Sequence, residues 1–252
     1  MHKILHTSHK RKIAYQYYKG NSKIGFMFFT GFCSEMSGTK AQHIFKWCKK
    51  NKYECTLFDY SGHGKSSEKF IDSSINEWVE DSIEILNKVP SNPQILIGSS
   101  MGGWIALKVG LIKTIKIKGI ITIAAAPDFT KKIWDNELTE KQKSIIIEEG
   151  FTTIPSEYDE SGYIITNKNI KAGNKNLILE PKNTSFSLPI KLIHGDEDIA
   201  VNWQESLKIF NKCNNPATEL IVLKGGDHRL SSEKQLKKII LVIQSLLDEC
   251  DK

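Results

Sequence analysis

Gln94-Ile95-Leu96-Ile97-Gly98-Ser99-Ser100-Met101-Gly102-Gly103-Trp104 passes from a short apolar run, through a glycine-flanked serine, into a helix-like segment that reaches position 112. This is the pattern G-x-S-x-G placed between a strand and a helix. A turn that sharp brings the residues two before and two after Ser100 together. Only glycine, with no Cβ, tolerates that approach, and Gly98 and Gly102 stand there. The turn lifts the Ser100 hydroxyl clear of the sheet. It also leaves the Met101 N–H at a helix N-terminus, unpaired and aimed where negative charge would develop. A nucleotide-binding loop would need G-x-G-x-x-G or a lysine in P-loop spacing, and the stretch has neither.

A serine hydroxyl is a weak nucleophile at neutral pH and needs a base, which in turn needs an orienting acid. Behind such an elbow the chain order is Ser, then Asp or Glu, then His. Of seven histidines only His194 and His228 follow Ser100. His194 lies at the end of the apolar run 190–193 and reads as a hydrogen-bonded structural residue. His228, in Gly225-Gly226-Asp227-His228, follows the strand-like 219–223 and is the expected base. In His194-Gly195-Asp196-Glu197-Asp198 the expected acid is Asp198, with Asp196 and Glu197 as solvated turn residues. Asp128 is a distant alternative, and Asp227 reads as a turn former. The second oxyanion donor should be a backbone amide after an earlier strand. Thr30-Gly31-Phe32-Cys33 follows the apolar run 24–29, so Phe32 N–H is expected to act with Met101 N–H. Cys33 reads as structural, since no pattern brings a histidine to it. The loop Asp59-Tyr60-Ser61-Gly62-His63-Gly64-Lys65-Ser66 reads as a tight turn built on Asp59 and the glycines. His63 precedes Ser100 and is in the wrong order to be the base.

Strands are expected at 13–18, 24–30, 56–60, 94–97, 119–124, 190–194 and 219–223, several of them nearly continuous Ile, Leu, Val or Phe. That is the signature of a parallel sheet covered on both faces. Helices are expected at 40–51, 74–88, 100–112, 205–212 and 233–250. Strands alternating with helices predict an α/β domain with a mostly parallel sheet of about eight strands. The alternation stops at about 129–188, too long an interval to be structureless in a compact domain. It is read as a helical cap inserted within a single domain spanning 1–252. Its Trp134, Ile145–Ile147 and Phe151 either line an acyl groove or seal the cap onto the core.

The chain carries a net charge of +6, but lysine supplies nearly all of it; the arginines are Arg11 and Arg229. Nucleic-acid sites lean on arginine, whose planar fork grips phosphates and base edges. These lysines are interleaved with acids, so no nucleic-acid partner is expected. The densest basic run, Lys10-Arg11-Lys12, is too short to act as an arm. Five cysteines without pattern show no metal spacing and suggest a reducing compartment. Residues 1–12 lack the apolar core of a secretory signal, and the apolar stretch 119–126 is far too short to span a bilayer. The expectation is a soluble cytoplasmic protein with no transmembrane segment.

The set Gly31-Phe32, Asp59…Gly62-His63-Gly64-Lys65-Ser66, Gly98-Ser99-Ser100-Met101-Gly102-Gly103-Trp104, His194-Gly195…Asp198…Val201 and Asp227-His228 resembles the α/β-hydrolase superfamily across almost the whole chain. More narrowly, Gly31…Met36-Ser37-Gly38-Thr39-Lys40-Ala41, Phe58-Asp59-Tyr60-Ser61-Gly62, Pro155-Ser156-Glu157-Tyr158 and Asp227-His228-Arg229 are similar to one group within it. That group is the mitochondrial α/β-hydrolase-domain palmitoyl-protein thioesterases, also known as acyl-glucuronide esterases, with their bacterial relatives. The resemblance carries the triad onto Ser100, Asp198 and His228. It implies an acyl ester or thioester substrate, small or lipid-like or borne on an acylated protein, and no cofactor; the lack of any metal-ligand spacing leaves no metal expected. Asn202 stands where the broader pattern often has proline after Val201. Three functions are therefore weighed: a carboxylester or thioester hydrolase that includes protein depalmitoylation, a lysophospholipase or monoacylglycerol lipase, and a catalytically silent binding protein. The last predicts a lost triad position, whereas all three are present.

Overall fold

The computed structural model describes residues 2–112, 115–157 and 160–250; Tyr158 lies outside them. In chain order the elements are β1 (Lys3–His6), β2 (Lys12–Tyr18), β3 (Gly25–Phe29), α1 (Thr39–Lys50), β4 (Glu54–Phe58), α2 (Ile75–Lys88), β5 (Gln94–Ser99), α3 (Met101–Leu111) and β6 (Ile117–Ile123). After β6 come α4 (Phe129–Lys132), continued by a π-helical stretch Ile133–Glu137, then α5 (Glu140–Glu149), β7 (Phe151–Ile154), β8 (Tyr163–Thr166) and α6 (Asn167–Lys175). The chain then returns through β9 (Ile190–Gly195), α7 (Gln204–Phe210), β10 (Glu219–Leu223) and α8 (Glu233–Cys250).

Eight strands form one sheet in the order β1-β2-β4-β3-β5-β6-β9-β10. β1 and β2 pair antiparallel at one edge, β2 pairs antiparallel with β4, and every other pairing is parallel. β3, β4 and β5 are buried along their whole length, as strands must be when helices cover both faces. Side chains alternate between the two faces. Ile95 and Ile97 pack with residues of α1 and α8, such as Ile44 and Ile243. Leu96 packs with residues of α2 and α3, such as Trp78 and Trp104. Helix α3 is buried almost all round, because it lies under neighbours on more than one side.

The interval 129–188, between β6 and β9, holds three α-helices as expected, and also the antiparallel hairpin β7–β8, which the apolar pattern did not indicate. Ile133, Leu138, Ile146, Ile154, Ile165 and Ile170 give it a small core of its own. Asp128, the distant candidate acid, has another task. Its carboxylate accepts the amides of Ile178 (2.9 Å) and Leu179 (2.8 Å), tying the start of the inserted segment to its return. No described helix is long and apolar enough to cross a membrane.

Candidate active site

Ser100 sits between β5 and α3 with φ +55° and ψ −122°, a backbone state that costs an L-residue energy and persists only when its surroundings enforce it. The enforcing contacts are local. A Cβ on Gly98 would stand 2.2 Å from Gly102 O, and one on Gly102 would stand 2.2 Å from Phe29 O. Ser100 N–H donates to Ile123 O at 2.9 Å, and Ala126 N–H donates to Ser100 O at 3.1 Å, so β6 pins the elbow.

The loops after β9 and β10 deliver the two partners. They touch backbone to backbone: a Cβ on Gly195 would stand 2.1 Å from Gly226 O. His228 Nδ1 lies 2.7 Å from Asp198 Oδ2, and its Nε2 lies 3.0 Å from Ser100 Oγ. Asp198 accepts only, so Nδ1 carries the proton. Nε2 is then the acceptor for the Ser100 hydroxyl. The three residues selected by chain order therefore form one hydrogen-bonded chain.

Asp198 is more heavily bonded than the sequence indicated. Its Oδ1 accepts the amides of Ala200 (3.0 Å) and Val201 (2.8 Å). Its Oδ2 also lies 3.0 Å from Nε2 of the buried His194. That nitrogen is 2.9 Å from Val201 O as well, and both neighbours are acceptors, so His194 Nε2 bears a proton. Ser206 Oγ, 2.7 Å from His194 Nδ1, completes the set. Burial alone would raise the Asp198 carboxyl. The hydrogen bonds from His194 and His228 outweigh it and hold the group well below the usual carboxylate range. The structural reading of His194 thus gains a specific object, and no spacing rule could have supplied it. Asp227 accepts Leu230 N–H at 2.9 Å, and Asp196 accepts Gly225 N–H at 2.6 Å, both as turn residues.

The loop after β3 lies against Ser100, since a Cβ on Gly31 would stand 3.4 Å from Ser100 Cβ. Met101 is the first residue of α3, where an amide has no partner within the helix. Phe32, Ser100, Met101 and His228 all border one cavity of about 840 Å³. Cys33 borders it too. Phe129, Ile133, Ile154, Pro155 and Tyr163 of the inserted segment line it with apolar side chains, and charged residues such as Glu35, Lys40, Lys132, Glu137 and Arg229 border it as well. Lys40 Nζ donates to Arg229 O beside His228, and burial pushes its ammonium down to about 8.

Of the residues expected to line a groove, Trp134 and Ile146 pack in the small core of the inserted segment. Ile147 and Phe151 are exposed. The sealing reading fits Trp134 and Ile146; the lining falls instead to residues that carried no periodic signal. Among the described residues no cluster of His, Cys, Asp or Glu could hold a metal.

Asp59 is buried and accepts the amides of Met36 (2.7 Å) and Lys65 (2.9 Å), the tight-turn role expected of it. His63 in the same loop is buried among Tyr60, Phe70 and Trp78, and among the described residues the Ser61 carbonyl, at 3.2 Å, is its hydrogen-bond partner. Burial, resisted by that carbonyl and the Glu35 charge, pushes it from the ordinary 6.5 down to about 4. Its folded value is the depressed one. The unfolded chain therefore takes up a proton between pH 6.5 and 4 that the folded chain refuses, and stability falls as pH drops through that window. The expected contribution is about 3 to 4 kcal/mol, at about 1.4 kcal/mol per unit. Urea unfolding at several pH values should show a shallower slope over this window for His63→Phe than for the wild type; parallel slopes would contradict the assignment.

Comparison with known proteins gives consistent neighbours. The family model Hydrolase_4, described as serine aminopeptidase, S33, matches residues 21–154. The mitochondrial palmitoyl-protein thioesterase ABHD10 of Mus musculus is 33% identical over 247 residues, covering 98% of this chain and 82% of that protein. The solved structure of mouse α/β-hydrolase domain-containing protein 10 superposes with a TM-score of 0.89 at 31% identity, covering 99% of both chains. A putative hydrolase from Agrobacterium vitis S4 superposes with a TM-score of 0.91 at 27% identity, covering 98% of both.

Proposed function

The chain belongs to the α/β-hydrolase family, and from that premise we propose that it is a serine hydrolase that cleaves carboxylic acyl esters or thioesters through Ser100, His228 and Asp198. The observation that carries this reading is the continuous hydrogen-bonded chain from Asp198 to the Ser100 hydroxyl, opening onto a cavity with apolar walls. A cavity of about 840 Å³ lies within the range of small-molecule sites, about 300–1,000 Å³.

In this mechanism His228 Nε2 takes the Ser100 proton as Oγ bonds to the acyl carbon. The carbonyl oxygen becomes an oxyanion, held by the amides of Phe32 and Met101. His228, charged and steadied by Asp198, returns the proton to the leaving oxygen or sulfur as that bond breaks. A water, deprotonated by the same nitrogen, then attacks the acyl-enzyme and releases the acid and free Ser100. No step calls for a cofactor. The segment 129–188 acts as a cap on a single domain, and its apolar wall holds the acyl chain. Together with the likeness to a palmitoyl-protein thioesterase, that wall favours long-chain acyl thioesters, including acylated proteins.

The test is kcat/KM for matched oxyesters and thioesters of increasing acyl length. A thioester preference that rises toward hexadecanoyl supports the depalmitoylase-like reading. A preference for short oxyesters would move the assignment to a general carboxylesterase. Ile133, buried and on the cavity wall, sharpens the test. Losing one buried aliphatic contact of about 1.5–3 kcal/mol predicts that Ile133→Ser lowers kcat/KM on hexadecanoyl substrates about tenfold or more, with acetyl substrates within about threefold. Equal loss at every length would remove Ile133 from the acyl wall.

A further inference from the structure

Phe32 has two jobs that meet in one residue. Its amide is the oxyanion donor of the mechanism above, on which this inference rests. Its ring is half-buried where the main core meets the core of the cap, and it packs against both. On the core side it meets Phe70 at 5.0 Å and Trp78 at 6.2 Å between ring centroids. On the cap side it meets Phe129 at 5.3 Å and Tyr163 at 5.5 Å. All four contacts are edge-to-face, the geometry aromatic rings prefer. The backbone around Phe32 forms a tight turn. Ser34 N–H reaches Gly31 O at 3.2 Å, Ser34 Oγ reaches Phe32 O at 3.4 Å, and the next residue, Cys33, has φ +54°. The ring is thus held from both sides, two of its four aromatic contacts coming from the cap, and whatever holds the ring also holds the amide of the same residue.

We propose that Tyr163 and Phe129 are positioning residues for the oxyanion hole: through their direct contacts with the Phe32 ring, these two side chains set the place of the donor amide. Tyr163 is the sharper probe. It lies at the start of β8, opposite Ile154 across the hairpin, and reaches the nucleophile's surroundings through the ring of Phe32. Displacing an oxyanion donor lowers kcat, because the donor bonds the transition state better than the ground state. Removing a wall of the acyl pocket lowers affinity, and does so more for longer chains.

The experiment measures kcat and KM on a short acetyl ester for the wild type, Tyr163→Ala, Tyr163→Phe and Ile146→Ala. Values are normalised to the active fraction titrated with a fluorophosphonate, so that partial unfolding drops out. Tyr163→Ala should lower kcat about tenfold or more, with KM within about threefold. Tyr163→Phe, which keeps the ring, should stay within about threefold of wild type. Ile146→Ala loosens the same cap core from a buried position and should also keep its kcat on the acetyl ester. A short trifluoromethyl ketone, which forms a tetrahedral adduct with the serine, should lose affinity for Tyr163→Ala in proportion to the loss in kcat/KM. Unchanged kcat on the acetyl ester, an equal loss in Ile146→Ala, or an unchanged affinity for the ketone would each overturn the coupling. Failure of the hydrolase reading itself would look different: the wild type would neither turn over the ester nor react with the fluorophosphonate.

Discussion

Replacing Ser100 by alanine should lower kcat about a million-fold, the scale of loss when the nucleophile of such a constellation is removed. The size follows from the geometry. The Ser100 hydroxyl is hydrogen-bonded to His228 Nε2 at 3.0 Å, so it is the group whose proton the base can take as it attacks. Alanine at φ +55° carries the same backbone penalty as serine, and the contacts of Gly98 and Gly102 that impose the turn remain. The variant should therefore fold and bind acyl ligands like the wild type. Steady-state turnover of the best ester, measured beside a melting temperature, checks both halves. A variant retaining a tenth of wild-type kcat would place the nucleophile elsewhere.

The second large effect is expected at Asp198. Asparagine there should accept the amides of Ala200 and Val201 through its carbonyl oxygen, because those two donors leave no other choice at the Oδ1 position. Its NH2 group then falls at the Oδ2 position, facing the nitrogens of His194 and His228. Donor meets donor. His228 is driven to the tautomer with its proton on Nε2, pointing at Ser100 rather than accepting from it. Loss of the correct tautomer predicts a fall in kcat of about ten thousand-fold, with little change in KM. Kinetics of Asp198→Asn within a hundredfold of wild type would mean that the carboxylate does not govern the histidine's proton.

The core of the site was legible because the chemistry leaves few residue choices. A sharp strand-to-helix turn demands glycine at positions 98 and 102. Chain order after Ser100 left two histidines, and the glycines before His228 allow its loop to bring the side chain over the sheet edge. The walls of the cavity were not legible. Three successive isoleucines, 145–147, cannot share one face of a helix at about 100° per residue, and only Ile146 turns fully inward. Phe129, Ile133, Ile154 and Tyr163 come together from two helical stretches and a hairpin, so no local period links them. The hairpin strands are four residues each and separated by polar residues, too short to declare an alternation. β1 is exposed at three of its four positions and carries no apolar pattern to betray an edge strand. The contact of His194 with Asp198 depends on how the loop after β9 folds back, which the residue types alone do not dictate.

The most direct test of the central claim is to treat the native enzyme with a fluorophosphonate at one equivalent, follow the loss of ester hydrolysis, and map the adduct by peptide mass spectrometry. Activity should fall in step with labelling, reach zero at one adduct per chain, and the adduct should sit on Ser100. Full activity in the labelled protein, or an adduct on any other residue accompanying the loss, would contradict the account.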